Sequence, residues 1–147
     1  MDSKSIAIIG LGLIGASLAK ALRRTNHNFY IFGMDSNEKN RQLAQEDGSV
    51  DQVITDLEEV AKNAHVIFLC MPISGIPEML RKLAPLVQPG TILTDVGSIK
   101  SGIMKEAEQI LPKEVHFIGG HPMAGRERSG YAASIAHLFE NAYYVLT

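Results

Sequence analysis

Short apolar runs and segments with a single apolar face alternate along this chain from end to end. Ser5 to Ile9 is an isoleucine-rich run that stops at Gly10. Ile14 to Arg24 follows, with Ile14, Leu18 and Leu22 at four-residue spacing on one helical face. Arg23 and Arg24 sit near its end, where a helix favours cations. The pattern predicts a second strand at Phe29 to Met34, a helix at Glu38 to Glu46 ending near Gly48, and a brief strand at Val53 and Ile54. Thr55 and Asp56 precede Glu58 and Glu59 by three residues each, so either pair is a candidate capping box for a helix through Lys62.

The second half continues the alternation. His65 to Cys70 is a continuous apolar run, as expected of a strand covered on both faces, and Pro72 closes it. Ile76 to Val87 carries a helical pattern, with Met79, Leu80, Leu83 and Leu86 on one side. Pro89 and Gly90 predict a turn before a strand at Thr91 to Thr94, then a helix at Ile99 to Leu111 and a strand at Val115 to Ile118. Gly119 to Gly130 reads as a polar, glycine-rich loop, and Ala142 to Leu146 as a final strand. Strands alternating with helices imply an α/β protein with a parallel sheet covered on both faces. Right-handed crossovers make it a doubly wound, Rossmann-type fold.

A length of 147 residues suits one domain with a real core, so residues 1–147 are expected to be a single unit. Net charge is −2, which gives no electrostatic reason to expect nucleic acid or an anionic membrane surface. Cys70 is the only cysteine, so the chain has neither an internal disulfide nor a cysteine-rich metal site, and its apolar neighbours suggest a small buried hydrophobe. The uncharged stretch between Lys4 and Lys20 superficially resembles an export signal, but three glycines interrupt it. The expectation is a cytoplasmic protein with no membrane span.

Gly10, Gly12 and Gly15 match G-x-G-x-x-G after one strand and at the opening of one helix. Gly10 permits the tight turn, Gly12 lets backbone approach a pyrophosphate, and Gly15 lets the helix pack near the strand. The N–H groups of Leu13 and Ile14 then face phosphate oxygens. Asp35 follows Gly15 by twenty residues, at the end of the second strand, where a carboxylate accepts from ribose hydroxyls. Its charge repels a 2′-phosphate, and Ser36 and Asn37 supply no adjacent arginine, so NAD is favoured over NADP. Against this, Asp35 or Ser36 could simply cap the following helix. Met71 and Pro72 follow the fourth strand and are expected to line the cofactor cleft.

Four of the five histidines have bland readings: His27 in a connection, His65 and His116 opening strands, His137 in a helix. His121 differs, because Gly119, Gly120 and Pro122 shape the chain around it just past a strand's carboxyl end, where ligands collect in open parallel sheets. A neutral imidazole there can accept a proton, although a histidine bonding backbone in a tight turn fits the local sequence too. Ser98, in Asp95-Val-Gly-Ser98, reads by default as a helix N-cap, with substrate orientation as the alternative. Lys100 reads as a solvated lysine, and Arg126, Glu127, Arg128 and Ser129 as a solvated charged cluster beside the histidine. No metal-ligand spacing occurs.

Taken together, these segments resemble the prephenate and arogenate dehydrogenases of tyrosine biosynthesis. The resemblance rests on GLGLIGASLAKAL at 10–22, Asp35, TDVGSIK at 94–100, GGHPMAGRERSG at 119–130 and LFENAYYVLT at 138–147. It implies oxidation of the C4 carbinol of prephenate, hydride transfer to NAD, loss of CO2 and release of 4-hydroxyphenylpyruvate. It further implies that His121 is the general base, that Ser98 holds the C4 hydroxyl, and that Glu127 lies near the substrate mouth. Family members carry a helical C-terminal domain that builds a homodimer and closes the substrate pocket, and none of its sequence is recognised here. The expectation is a chain that binds NAD, turns prephenate over poorly and exposes apolar surface. An arogenate enzyme, a related hydroxyacid or imine oxidoreductase, and a nucleotide-binding module without chemistry remain the alternatives.

Overall fold

In the computed structural model, residues 4–25, 28–125 and 129–147 are described. Six strands form one parallel sheet: β1 (Lys4–Ile9), β2 (Phe29–Met34), β3 (Gln52–Val53), β4 (Val66–Leu69), β5 (Ile92–Asp95) and β6 (His116–Ile118). Their spatial order is β3-β2-β1-β4-β5-β6. Five helices connect them: α1 (Leu13–Thr25), α2 (Glu38–Glu46), α3 (Leu57–Asn63), α4 (Ile76–Leu83) and α5 (Ser101–Ile110).

The period-two alternation of strand side chains divides the core between the two faces of the sheet. Ile6 and Ile8 of β1 pack with Ile31, Ala16, Ala19 and Ala44 beneath α1 and α2. Ala7 and Ile9 pack on the other face with Ile67, Leu69, Leu93, Val60, Leu80, Leu83 and Ile103 under α3, α4 and α5. A doubly wound sheet results, and the strand order reverses between β1 and β4. Among the described residues, no helix is long and apolar enough to cross a membrane.

Local details bear out some of the sequence expectations and overturn others. Asp56 caps α3 by accepting the Glu58 N–H at 3.0 Å. Asn37 caps α2, accepting from the Asn40 N–H at 3.0 Å, so neither Asp35 nor Ser36 has that role. The helix expected to reach Val87 ends at Leu83. The His137 region is turn rather than helix.

The largest difference concerns the supposed loop at Gly119 to Gly130. Its first part is a strand, β7 (Gly120–Pro122), paired antiparallel with β8 (Tyr144–Leu146) in a separate two-stranded ribbon. The final strand therefore does not extend the parallel sheet. Thr147 continues the ribbon, exchanging both backbone hydrogen bonds with Gly119 at 2.8 and 3.0 Å. Around it Ile99, Met123, Tyr143, Val145 and Leu146 expose apolar side chains.

Candidate functional site

The glycine turn forms for steric reasons that the coordinates make explicit. Gly10 has φ +103°, and a Cβ there would lie 2.5 Å from the Cys70 carbonyl oxygen. A Cβ on Gly15 would lie 1.8 Å from the Gly10 carbonyl oxygen, so α1 packs on β1 only without a side chain there. Gly12 is different. A Cβ at Gly12 would meet no protein atom within 4 Å. That open space lies at the start of α1, where the first-turn N–H groups of Leu13 and Ile14 have no intrahelical acceptor. A pyrophosphate fits this cradle on geometry and on the helix dipole.

Asp35 holds the cradle to the end of β2. Its Oδ2 accepts the Leu11 N–H at 2.7 Å and Asn40 Nδ2 at 3.3 Å, while Oδ1 accepts the Asn37 N–H at 2.7 Å. The guanidinium of Arg41 donates to the Asp35 backbone carbonyl at 2.7 Å. An arginine thus does stand near Asp35, one helical turn into α2, although the immediate sequence neighbours offer none. It is engaged by the backbone.

Gly10, Gly12, Asp35, Met71 and Pro72 line one cleft of about 340 Å³, together with Ile9, Met34, Ser36, Asn40, Cys70 and Met79. It opens between the carboxyl ends of β1 and β4, at the reversal of strand order. A larger concavity of about 590 Å³ lies along α5 and β6, lined by Met104, Lys105, Glu108, Leu111 and Phe117. It has no glycine turn, so volume alone is a poor guide and the smaller cleft is the candidate site. Cys70 is part of its lining and not simply a core residue. Burial of the thiol, with Asp95 nearby, pushes its pKa up to about 12.

His121 lies at the centre of β7, opposite Val145. Its neighbours Gly120 and Pro122 are buried while His121 is half-buried, so alternation sets its side chain on the ribbon's other face. The two glycines before it are dictated by close approach. A Cβ on Gly120 would lie 2.6 Å from the Asp95 carbonyl oxygen, and one on Gly119 would lie 2.4 Å from Thr147 Oγ1. Ser98 is exposed and lies three residues before α5, whose N-cap is Lys100. Ser98 is therefore no helix cap. Glu127 lies outside the described residues.

Tyr144 of β8 packs on Gly120, where a Cβ would lie 2.9 Å from its ring and 3.0 Å from its hydroxyl. Burial, the Cys70 sulfur and the Asp95 carboxylate push its phenol up to about 12. Cys70 borders Gly10 and Gly15, and Asp95 borders Gly120. Sequence reasoning missed Asp95 and misjudged Lys100: they form an ion pair in which Asp95 is fully buried and Lys100 is largely covered. The available signal was a carboxylate ending an apolar strand with a lysine five residues on.

The fold and the cleft together define a dinucleotide-binding domain of the dehydrogenase type. Residues 18–147 match the family of the prephenate dehydrogenase nucleotide-binding domain, and the chain belongs to that family. It is 44% identical over 146 residues to the prephenate dehydrogenase of Lactococcus lactis, covering 98% of this chain and 41% of that protein. Identity to the Bacillus subtilis prephenate dehydrogenase is 37%, over 97% of this chain and 39% of the relative. The arogenate dehydrogenase structure from Synechocystis superposes with a TM-score of 0.88 at 43% identity, covering 97% of this chain and 49% of that one. Prephenate dehydrogenase from Aquifex aeolicus, solved with hydroxyphenyl propionate and NAD+, gives 0.90 at 32% identity, over 100% and 51%. The chain thus spans about two fifths of the length of these two curated relatives.

Proposed function

We propose that this chain binds NAD and supplies the catalytic base for oxidative decarboxylation of prephenate to 4-hydroxyphenylpyruvate, a step of tyrosine biosynthesis. The observation that carries the reading is the cleft at the reversal of strand order, where the glycine cradle, Asp35, Met71 and Pro72 converge. The open side of Gly12 and the α1 N-terminus receive the pyrophosphate, and Asp35 receives the adenosine ribose. The Aquifex relative, whose structure holds NAD+, has the same fold at 32% identity.

Bound NAD+ supplies a hydride acceptor for the hydrogen on C4 of the substrate. In this reading neutral His121 accepts the proton of the C4 hydroxyl as hydride departs, and the hydroxyl of Ser98 holds that oxygen in place. Loss of the ring carboxylate as CO2 returns its bonding electrons to the ring, which becomes aromatic. Glu127 is assigned to the substrate mouth. The exposed apolar side chains of Ile99, Met123, Tyr143 and Leu146 beside the ribbon suit a surface that further protein covers when the substrate pocket is completed. Residues 1–147 are read as the dinucleotide-binding unit of a cytoplasmic homodimeric enzyme, and alone they turn prephenate over slowly.

The test is the variant His121→Asn assayed by NADH formation and by NAD titration. General-base loss lowers turnover by about 10²–10⁴ and leaves NAD affinity within about twofold. Unchanged turnover overturns the assignment. Arogenate is the second substrate to assay, because the Synechocystis relative at 43% identity is an arogenate dehydrogenase.

A further inference from the structure

Asp95 ends β5 fully buried. A carboxylate is kept out of water only where charge and hydrogen bonds offset its lost hydration, so its partners reveal what it holds. Among the described residues three groups hold it. Lys100 Nζ pairs with Oδ2, the Gly97 N–H donates to Oδ2 at 3.0 Å, and the Gly120 N–H donates to Oδ1 at 3.2 Å. Gly97 immediately precedes Ser98, and Lys100 follows it by two residues, so Oδ2 grips that loop on both sides. Gly120 immediately precedes His121, so Oδ1 grips the ribbon.

We propose that Asp95, balanced by Lys100, is a positioning residue that sets Ser98 and His121 in register with each other. The inference rests on the site reading above. Steric evidence agrees with the hydrogen bonds. A Cβ on Gly97 would lie 3.1 Å from Asp95 Oδ2 and 2.8 Å from Ile73, and one on Gly120 would lie 2.6 Å from the Asp95 carbonyl oxygen. The aliphatic stem of Lys100 runs beside Gly119, where a Cβ would come within 3.3 Å of Cδ. Both segments approach Asp95 so closely that neither moves without it. The loop after β5 and the first strand of the ribbon thereby share one buried anchor.

Asp95→Asn keeps the shape and one acceptor and removes the charge. By NMR on the folded variant, exchange of the Gly97 and Gly120 amides accelerates at least about tenfold, a factor that follows from losing a charge-assisted acceptor. The His121 and Ser98 resonances move, while those of Gly12 to Gly15 and the NAD affinity remain as in the parent. Turnover of prephenate falls about a hundredfold, the scale of a misplaced reacting group, and combining Asp95→Asn with His121→Asn lowers it little further. Unmoved His121 and Ser98 resonances in folded Asp95→Asn overturn the proposal. Should that variant fail to fold, Lys100→Met moves the same resonances and Lys100→Arg restores them; a folded Lys100→Met with both signals unmoved overturns it equally. If His121→Asn keeps full turnover while these signals still move, the site reading fails and the anchor stands.

Discussion

The carboxylate of Asp35 accepts the backbone N–H of Leu11 at 2.7 Å, so the proposed ribose acceptor and the glycine turn are one hydrogen-bonded unit. The turn therefore arrives in its binding conformation with little left to order, and affinity gains from that preorganisation. Asp35→Ala removes the acceptor for Leu11 and for Asn37 together. NAD affinity falls by about tenfold or more, roughly 1.4 kcal/mol, and discrimination against NADP relaxes because the repelling charge is gone. Fluorescence titration with both dinucleotides measures each effect.

Gly12 and Gly15 separate binding from folding. Gly12→Ala places a methyl group where no protein atom is within 4 Å, so its melting temperature stays close to that of the parent while NAD affinity falls at least about tenfold. Gly15→Ala drives a methyl group to 1.8 Å from a backbone carbonyl, and stability drops by roughly 2 kcal/mol or more. Thermal melts and NAD titration of the two variants give opposite patterns. Similar melting temperatures for both would contradict this account.

Cys70 reports on the cleft. With its pKa pushed up to about 12 it holds little thiolate at neutral pH, so alkylation at pH 8 runs about a hundredfold or more slower than for an ordinary thiol. Because Cys70 lines the cleft beside Gly10 and Met71, NAD slows the labelling further. Mass spectrometry of timed iodoacetamide reactions, with and without NAD, measures both. The elevated pKa also carries a stability consequence. A folded-state value above the unfolded one contributes fully below pH 9 and is lost as pH rises towards 12.

How much of this was legible in the sequence follows from what local pattern encodes. β2 and α2 end where the pattern places them, because a strand covered on both faces reads as an unbroken apolar run and an amphipathic helix repeats every turn. The glycine cradle and Asp35 lie within one β-α-β unit, so fixed spacing reveals them. In the ribbon, β8 falls within the strand read at 142–146, but its pairing and its partner β7 escape that logic. β7 is three residues containing a glycine and a proline, and its partner β8 is exposed on both faces, so neither shows an alternating pattern. Lys100 looks like any solvated lysine unless Asp95, at the end of an apolar strand five residues earlier, is taken as buried. Only the fold brings Gly120 to that carboxylate.

Tyr131 tests a second polar cluster, formed with Asp47, Ser49 and Lys20. Its hydroxyl donates to Asp47 at 2.5 Å and meets Ser49 Oγ at 2.9 Å, and Lys20 lies 4.7 Å from its ring. Burial alone would raise the Asp47 carboxyl, but hydrogen bonds from Ser49 and Tyr131, with the Lys20 charge, bring it below its usual 3.8. A lowered folded-state value means that this stabilisation is complete above pH 3.8 and disappears as pH falls through the lower folded value. Tyr131→Phe loses about 1 kcal/mol near neutral pH, the scale of one partly exposed hydrogen bond. The deficit shrinks below pH 3.8, and urea melts across the acid range show both.

The same cluster has a mechanical side. Ser17 Oγ accepts the Ile135 N–H at 3.0 Å, and Lys20 Nζ donates to Ser134 Oγ at 2.7 Å. The polypeptide leaving the histidine ribbon is thus clamped to the flank of α1, the helix that opens at the glycine turn. Ser134 and Ile135 therefore share the position of that helix, and any displacement of one is felt by the other.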